Sequence, residues 1–381
     1  MKLTRRHFSA GVAATFAAPA LIKSAGAQGA TIKIGMCAPV TGPAAESGKY
    51  AVGGAKLAVE QVNKAGGVLG KQIELIVEDD QTTNPGIVLA FSKLAAQPDI
   101  VAFLGSIRST QVHAMSPDVL KLGKPVAIGG TDPNLTHMGN KWLFRFRPND
   151  SYSGKVIADY GVNTLGKKKW AVLHSTDAFG TAGGKALTEG LSKLGVTPVL
   201  DQGYTNQSQD FTPVVLAIKQ SGADVLGSYF TFENDLGIFA RQLRQLGVNI
   251  PWVGSPSIVN ITALKLAGPA LYGTFGVADY AEDSSEGSKA FGKLYRDAYK
   301  VAPDNQSSWP YDAITVLAKA MNIAKSTDPD KVRAAILAIK GHAGAEGEYN
   351  FDQNGDGLHG YNIVKNEKGT IAFDKHIESK D

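Results

Sequence analysis

Short β-rich runs alternate with helix-length amphipathic segments along most of this chain. Residues 31–38, 72–78, 100–104, 125–128, 169–174, 224–229 and 251–253 read as strands. Several are unbroken apolar runs, such as Trp170-Ala171-Val172-Leu173, the pattern of parallel strands covered on both faces. Between them lie stripes at helical spacing: Ala51, Ala55, Ala58 and Val62; Phe211, Val214, Val215 and Ile218; Phe291, Leu294, Tyr295 and Ala298. Each stripe is most simply a core-facing surface. The βαβα rhythm predicts an α/β fold of doubly wound parallel sheets. It restarts near residues 149–153, after Phe144-Arg145-Phe146-Arg147, so two such units are expected. Helices around 309–325 and 329–340 then give way to strands at 346–351 and 360–365. The cluster Asp352-Gln353-Asn354-Gly355-Asp356-Gly357 between those strands predicts a hairpin turn.

The first residues bear on where the chain works. Thr4-Arg5-Arg6-His7-Phe8 precedes an apolar run from Ala10 to Ile22, and Ala25-Gly26-Ala27 has the small-x-small pattern cut by a signal peptidase. A run of about 13 residues is too short to cross a bilayer. Residues 1–27 therefore read as an export signal, with a mature chain beginning near Gln28 and working in the periplasm. The paired arginines resemble a twin-arginine signal, with an ordinary Sec signal as the alternative. Removing the segment takes away Lys2, Arg5, Arg6 and Lys23 and no acid, so the formal charge falls from +4 to zero. Neither nucleic acid nor an anionic membrane surface is then expected as a partner. What is left is long enough for two domains with separate cores. Cys37, the only cysteine, lies in the apolar run 32–39 and reads as a buried strand residue.

Several motifs come close to known chemistry and fall short. Asp352-x-Asn354-x-Asp356-Gly357 looks like the start of a calcium loop, but Ile363 stands where a bidentate Glu is needed. The segment from Gly161 to Lys168 lacks the Ser or Thr of a phosphate loop and precedes a strand instead of following one. No nucleophile elbow, zinc-protease motif or Cys pair occurs, and the seven histidines are scattered. The expectation is a binding protein without catalytic residues, metal or cofactor.

The stretch Ile32-Lys33-Ile34-Gly35-Met36-Cys37-Ala38-Pro39-Val40-Thr41-Gly42-Pro43 runs into Gly48–67, Gly70-Lys71-Gln72-Ile73-Glu74-Leu75, Glu78-Asp79-Asp80 and Asn84-Pro85. It resembles the periplasmic solute-binding proteins of the leucine/isoleucine/valine-binding family, which serve ABC importers. The likeness continues in order through Gly105-Ser106, Ser109-Thr110-Gln111, Gly130-Thr131-Asp132-Pro133, Phe144-Arg145, Pro148, Asp177, Phe179-Gly180 and Tyr311-Asp312-Ala313. This resemblance implies two αβ lobes joined by three crossovers, closing on a ligand. Lobe one would comprise 30–149 and 279–350, and lobe two 150–278 and 351–381. The expected partners are a small-molecule carboxylate and an ABC permease in the inner membrane, with the binding protein a monomer.

Two loops carry the expected anion site. Gly105-Ser106-Ile107-Arg108-Ser109-Thr110 follows a strand and opens a helix, where unpaired N–H groups and the macrodipole favour an anion. Gly129-Gly130-Thr131 follows the next strand, with glycines allowing close approach and Thr131 offering a hydroxyl. In the family these loops hold the ligand's carboxylate, and Ser106, Ile107, Gly129 and Thr131 fall on those positions. Arg108 either clamps the carboxylate or points to solvent. On the other lobe the resemblance implies an aromatic, offered by Phe230 and Phe232, and an acid whose place is taken by Pro256. Without that acid an α-ammonium would lack a charge partner, unless Glu233 or Asp279 substitutes. Phe179 would add an apolar wall, and Ser47 and Tyr50 would line the mouth. An aromatic or other organic acid without an α-amino group is the favoured ligand. A branched-chain or aromatic amino acid is the alternative, and a ligand-sensing role is a second one.

Overall fold

A computed structural model of the protein describes residues 31–378. The expected signal at 1–27 lies outside these residues. The chain forms two mainly parallel sheets. The first contains β1 (Ile32–Ala38), β2 (Ile73–Asp79), β3 (Ile100–Leu104), β4 (Val126–Ile128) and β5 (Leu143–Arg145), in spatial order 2-1-3-4-5. The second contains β6 (Trp170–Ser175), β7 (Leu200–Tyr204), β8 (Val225–Tyr229), β9 (Trp252–Gly254) and β10 (Phe275–Ala278), in the order β7-β6-β8-β9-β10. The same winding is thus used twice, as the restarting rhythm predicts. The short strands β11 (His342–Ala343) and β12 (Glu348–Tyr349) pair with each other. Finally β13 (Gly360–Glu367) and β14 (Thr370–Glu378) extend the second sheet in antiparallel fashion beyond β10.

The apolar runs are interior, as expected of strands covered on both faces: Trp170, Ala171, Val172 and Leu173 are all buried. Cys37 is buried as well. Helix 45–64 turns Ala51, Ala55 and Ala58 onto the first core, where it meets helix 305–324. Their approach is close, because a Cβ on Gly54 would stand 1.9 Å from the Ser307 carbonyl oxygen. Among the described residues no helix is long and apolar enough to cross a membrane.

Two local expectations fail. The Asp352–Gly357 turn does not join a hairpin, since β12 pairs backward with β11 while β13 pairs onward with β14. Asp352 caps the turn by accepting from the Asn354 and Asp356 amides, and the Asp356 carboxylate leaves the turn to meet Arg145 at 2.8 Å. The segment is therefore a tethered crossover. The true hairpin turn is at Lys368-Gly369, both with positive φ (54° and 97°), as a tight two-residue connection requires. Helix 305–324 also begins earlier than the apolar pattern suggests. Asp304 caps it, and the Ser307 hydroxyl accepts from the Asp304 amide in return.

The chain passes three times between the halves built on these sheets, because helix 305–324 and β12 return to the first core before β13 rejoins the second sheet, and side chains stitch the crossings together. The Arg147 guanidinium on the first crossing meets the Asp279 carboxylate on the second. The Tyr349 and Tyr361 hydroxyls, flanking the third, donate to the carbonyls of Phe146 and Pro148 at 2.9 and 2.7 Å.

Candidate functional site

In an open parallel sheet the strand order reverses at one point, leaving a crevice beyond the strands' carboxyl ends. Here there are two such points, between β1 and β3 and between β6 and β8, and the loops leaving them face each other. The space between holds a cavity of about 490 Å³, counting its open mouth. Ile107 and Arg108 enter from the loop after β3, Phe179 from after β6, and Phe230, Thr231 and Glu233 from after β8. Arg147, Ser257, Asn260, Asn305 and Gln306 complete the lining.

Arg108 dominates the site. The residue is only 7 % exposed, and its Nε and Nη1 have no hydrogen-bond partner. Its Nη2 lies 3.8 Å from the Glu233 carboxylate, too long for a hydrogen bond, and its guanidinium carbon stands 5.2 Å from the Phe232 ring centre. Asn260 adds an oriented donor. Its Oδ1 accepts from the amides of Thr262 and Ala263, which fixes the flip of the amide and leaves Nδ2 buried and unpaired. The Asn305 Oδ1 is a buried acceptor without a partner. Leaving such groups unpaired is costly. Arg147 has a different task. Burial opposes its charge, but the nearby Asp279 carboxylate outweighs that and keeps it protonated.

The expected anion loops divide. Ser106 is buried away from the cavity, donating to Gln111 at 2.6 Å while accepting from the Arg108 amide. The Gly129 amide is spent on the Ser106 carbonyl, and its own carbonyl accepts from Arg147. The Gly130 carbonyl accepts from Arg145. The Thr131 hydroxyl donates to Asp150 at 2.8 Å, and its amide to Ser109. The loop after β4 is one strand removed from the switch point, so Gly129, Gly130 and Thr131 build the floor beneath the site. Burial pushes the Asp150 carboxyl up to about 7, against the pull of Thr131, Arg147 and Arg145.

The remaining expected residues also split. Phe179 stands partly exposed in the cavity wall, edge-on to Tyr229. Phe230 reaches the cavity from an aromatic cluster with Tyr204 and Phe239. Phe232 lies under Arg108. Pro256 is buried in a short turn and does not line the cavity; its neighbour Ser257 does, donating to the Phe230 carbonyl at 2.5 Å. Tyr50 stacks on Tyr295 as helix packing and stays out of the site. Ser47 does reach the cleft, where it donates to Glu233 at 2.6 Å. Glu233 is thus the one acid in the lining of this cavity, while Asp279 is held by Arg147. Sequence reasoning missed Arg147, Thr231, Ser257, Asn260, Asn305 and Gln306. The Asp304-x-x-Ser307 capping signature would have exposed Asn305 and Gln306, by moving the helix start back to the cavity.

A family model described as "Periplasmic binding protein" matches residues 31–370. The chain belongs to this family. It is 31 % identical to an "Amino acid binding protein" of Pseudomonas aeruginosa over 86 % of this chain and 87 % of the relative. In fold it matches the substrate-binding protein of a branched-chain amino acid transporter from Streptococcus pneumoniae, solved with isoleucine (TM-score 0.84, 24 % identity, covering 92 % and 100 %). It equally matches a solute-binding protein from R. palustris solved with benzoate (TM-score 0.82, 20 % identity, covering 92 % and 98 %). The periplasmic binding protein family places the chain outside the cytoplasm, as a solute-binding protein of ABC transporters with two parallel-sheet lobes.

Proposed function

We propose that this periplasmic binding protein captures a small carboxylate between two closing lobes and passes it to an ABC permease, with Arg108 as the anchor of the carboxylate. The supporting observation is a buried guanidinium with two unpaired nitrogens, Nε and Nη1, set in a cavity lined from both sheets. The moving bodies are residues 30–149 with 279–350, and 150–278 with 351–381. Closure is a hinge motion, driven by contacts that the guest makes to both lobes at once.

The favoured guest is an organic acid with an apolar or aromatic body and no α-amino group. Among the buried unpaired atoms of the lining, the donors Arg108 Nε, Arg108 Nη1 and Asn260 Nδ2 outnumber the acceptor Asn305 Oδ1. Phe179 and Phe230 offer ring surface for the body. The one acid present, Glu233, sits in the first turn of its own helix, where the macrodipole offsets its charge, and it already accepts from Ser47. A second reading, a branched-chain or aromatic amino acid, is favoured by a specific observation: the cavity lining contains a carboxylate, Glu233, which could pair with an ammonium. The Pseudomonas relative's name points the same way, while the structural neighbours include holders of either class.

Matched pairs differing only in the α-amino group decide between them, for example 3-phenylpropanoate against phenylalanine by calorimetry. Tighter binding of the plain acid supports the favoured reading. Binding of the amino acid alone hands the site to the second. Binding of neither across a panel of carboxylates removes Arg108 as an anchor.

A further inference from the structure

Glu233 and Ser47 form the shortest side-chain link between the two lobes at the cavity. Ser47 lies on the helix after β1 and Glu233 opens the helix after β8, so their 2.6 Å hydrogen bond joins elements of different sheets. Both are buried, Ser47 at 1 % exposure and Glu233 at 9 %. Beside this link Arg108, carried by lobe one, has Glu233 at its Nη2 and the Phe232 ring beneath it, both from lobe two. A lobe-one cation is thus steered by two consecutive lobe-two residues, while its Nε and Nη1 stay unpaired.

We infer that Ser47 and Glu233 are a clasp that brings the lobes together before any guest arrives and sets Arg108 in position to receive it. This rests on Arg108 being the anchor, as proposed above. Glu233 is then a positioning residue that acts through Arg108, and the guest need not touch it. The thermodynamic consequence is distinctive. Apparent affinity is reduced by the fraction of molecules in the competent state, so a clasp that raises this fraction tightens every guest by one common factor. A direct contact would instead favour only those guests that reach it.

The test uses the mature protein and its Ser47→Ala, Ser47→Thr and Glu233→Gln variants. Small-angle scattering of the ligand-free proteins reads closure without reference to any guest. The wild type should be more compact than Ser47→Ala and Glu233→Gln, with Ser47→Thr restoring compactness because the hydroxyl is kept. Calorimetry with both members of a matched acid and amino-acid pair should show one common loss, about tenfold. Equal compactness of all four ligand-free proteins overturns the clasp. So does a loss in Glu233→Gln confined to amino acids, which would make Glu233 a direct ammonium partner. Because the scattering arm involves no ligand, failure of the clasp is distinguishable from failure of the carboxylate reading.

Discussion

Two buried arginines separate the part of this molecule that holds itself together from the part that waits for something. Arg145, at the end of β5, spends every N–H. Nε meets Asp356 at 2.8 Å, Nη1 donates to the carbonyls of Gly130 and Asp132, and Nη2 to the Pro133 carbonyl and the Thr136 hydroxyl. Its partner is equally satisfied, since Asp356 also accepts from Thr136 and Asn149. Burial pushes the Asp356 carboxyl up, but the Arg145 charge and hydrogen bonds from His137, Arg145 and Thr136 outweigh it and hold the group far below the ordinary carboxylate range. Arg108 is nearly as deeply buried, yet it has no close hydrogen-bonded carboxylate and two empty donors. Burial alone says nothing about role; the pairing of the buried charge does.

The strongest way to break this contrast is to unpair Arg145. Asp356→Ala should cost about 3–5 kcal/mol of stability, the usual penalty for stranding one member of a buried pair, read as a lower urea midpoint. Arg108→Ala should do the opposite: stability holds or rises, while the carboxylate's binding weakens by about 2–3 kcal/mol, or roughly a hundredfold. Calorimetry and denaturation on the same preparation check both halves.

The floor of the site sharpens the contrast further. Thr131→Val should cost about 1–2 kcal/mol of stability through the stranded Asp150 carboxyl, with guest affinity little changed. Asp150 also carries a pH signature. Its folded value, about 7, lies above the ordinary 3.8, so its stabilising contribution is full below about pH 4 and is lost as pH rises through about 7. The urea midpoint should therefore fall between pH 5 and pH 7.5, and less steeply in Asp150→Asn. The smallest effect belongs to Phe232→Leu, which removes the ring under Arg108 and should weaken binding by about 0.5–1 kcal/mol, measured by titration.

The winding of both lobes was legible because it is written in period: the apolar runs at 100–104, 169–174 and 224–229 lie within a residue of the observed strands. Cys37 and the helical stripes were legible for the same reason. The site was legible only in part. Ile107, Arg108, Phe179 and Phe230 come together in the cavity because they follow strands at the two switch points. Ser106 and Thr131 lie outside its lining, since a hydroxyl after a strand looks the same whether it faces a cavity or a neighbour such as Gln111 or Asp150. Asp356 misled more, since Asn-Gly-Asp-Gly is a turn signal and nothing local reveals a partner 211 positions away. Asn260 was invisible because an Asn that caps a short helix after β9 looks the same wherever its Nδ2 points, and Asn305 was hidden because the helix start was placed too late.

Three strands of chain between two bodies behave differently from one. A single link would let the jaws swivel; three parallel links, two pinned at Arg147 and Asp279 and the third by Tyr349 and Tyr361, leave bending as the easy motion and make twisting hard. The jaws should then meet in the same alignment at every closure. Arg147 also lines the cavity, so under the closure proposed above the guest would rest against the pivot itself.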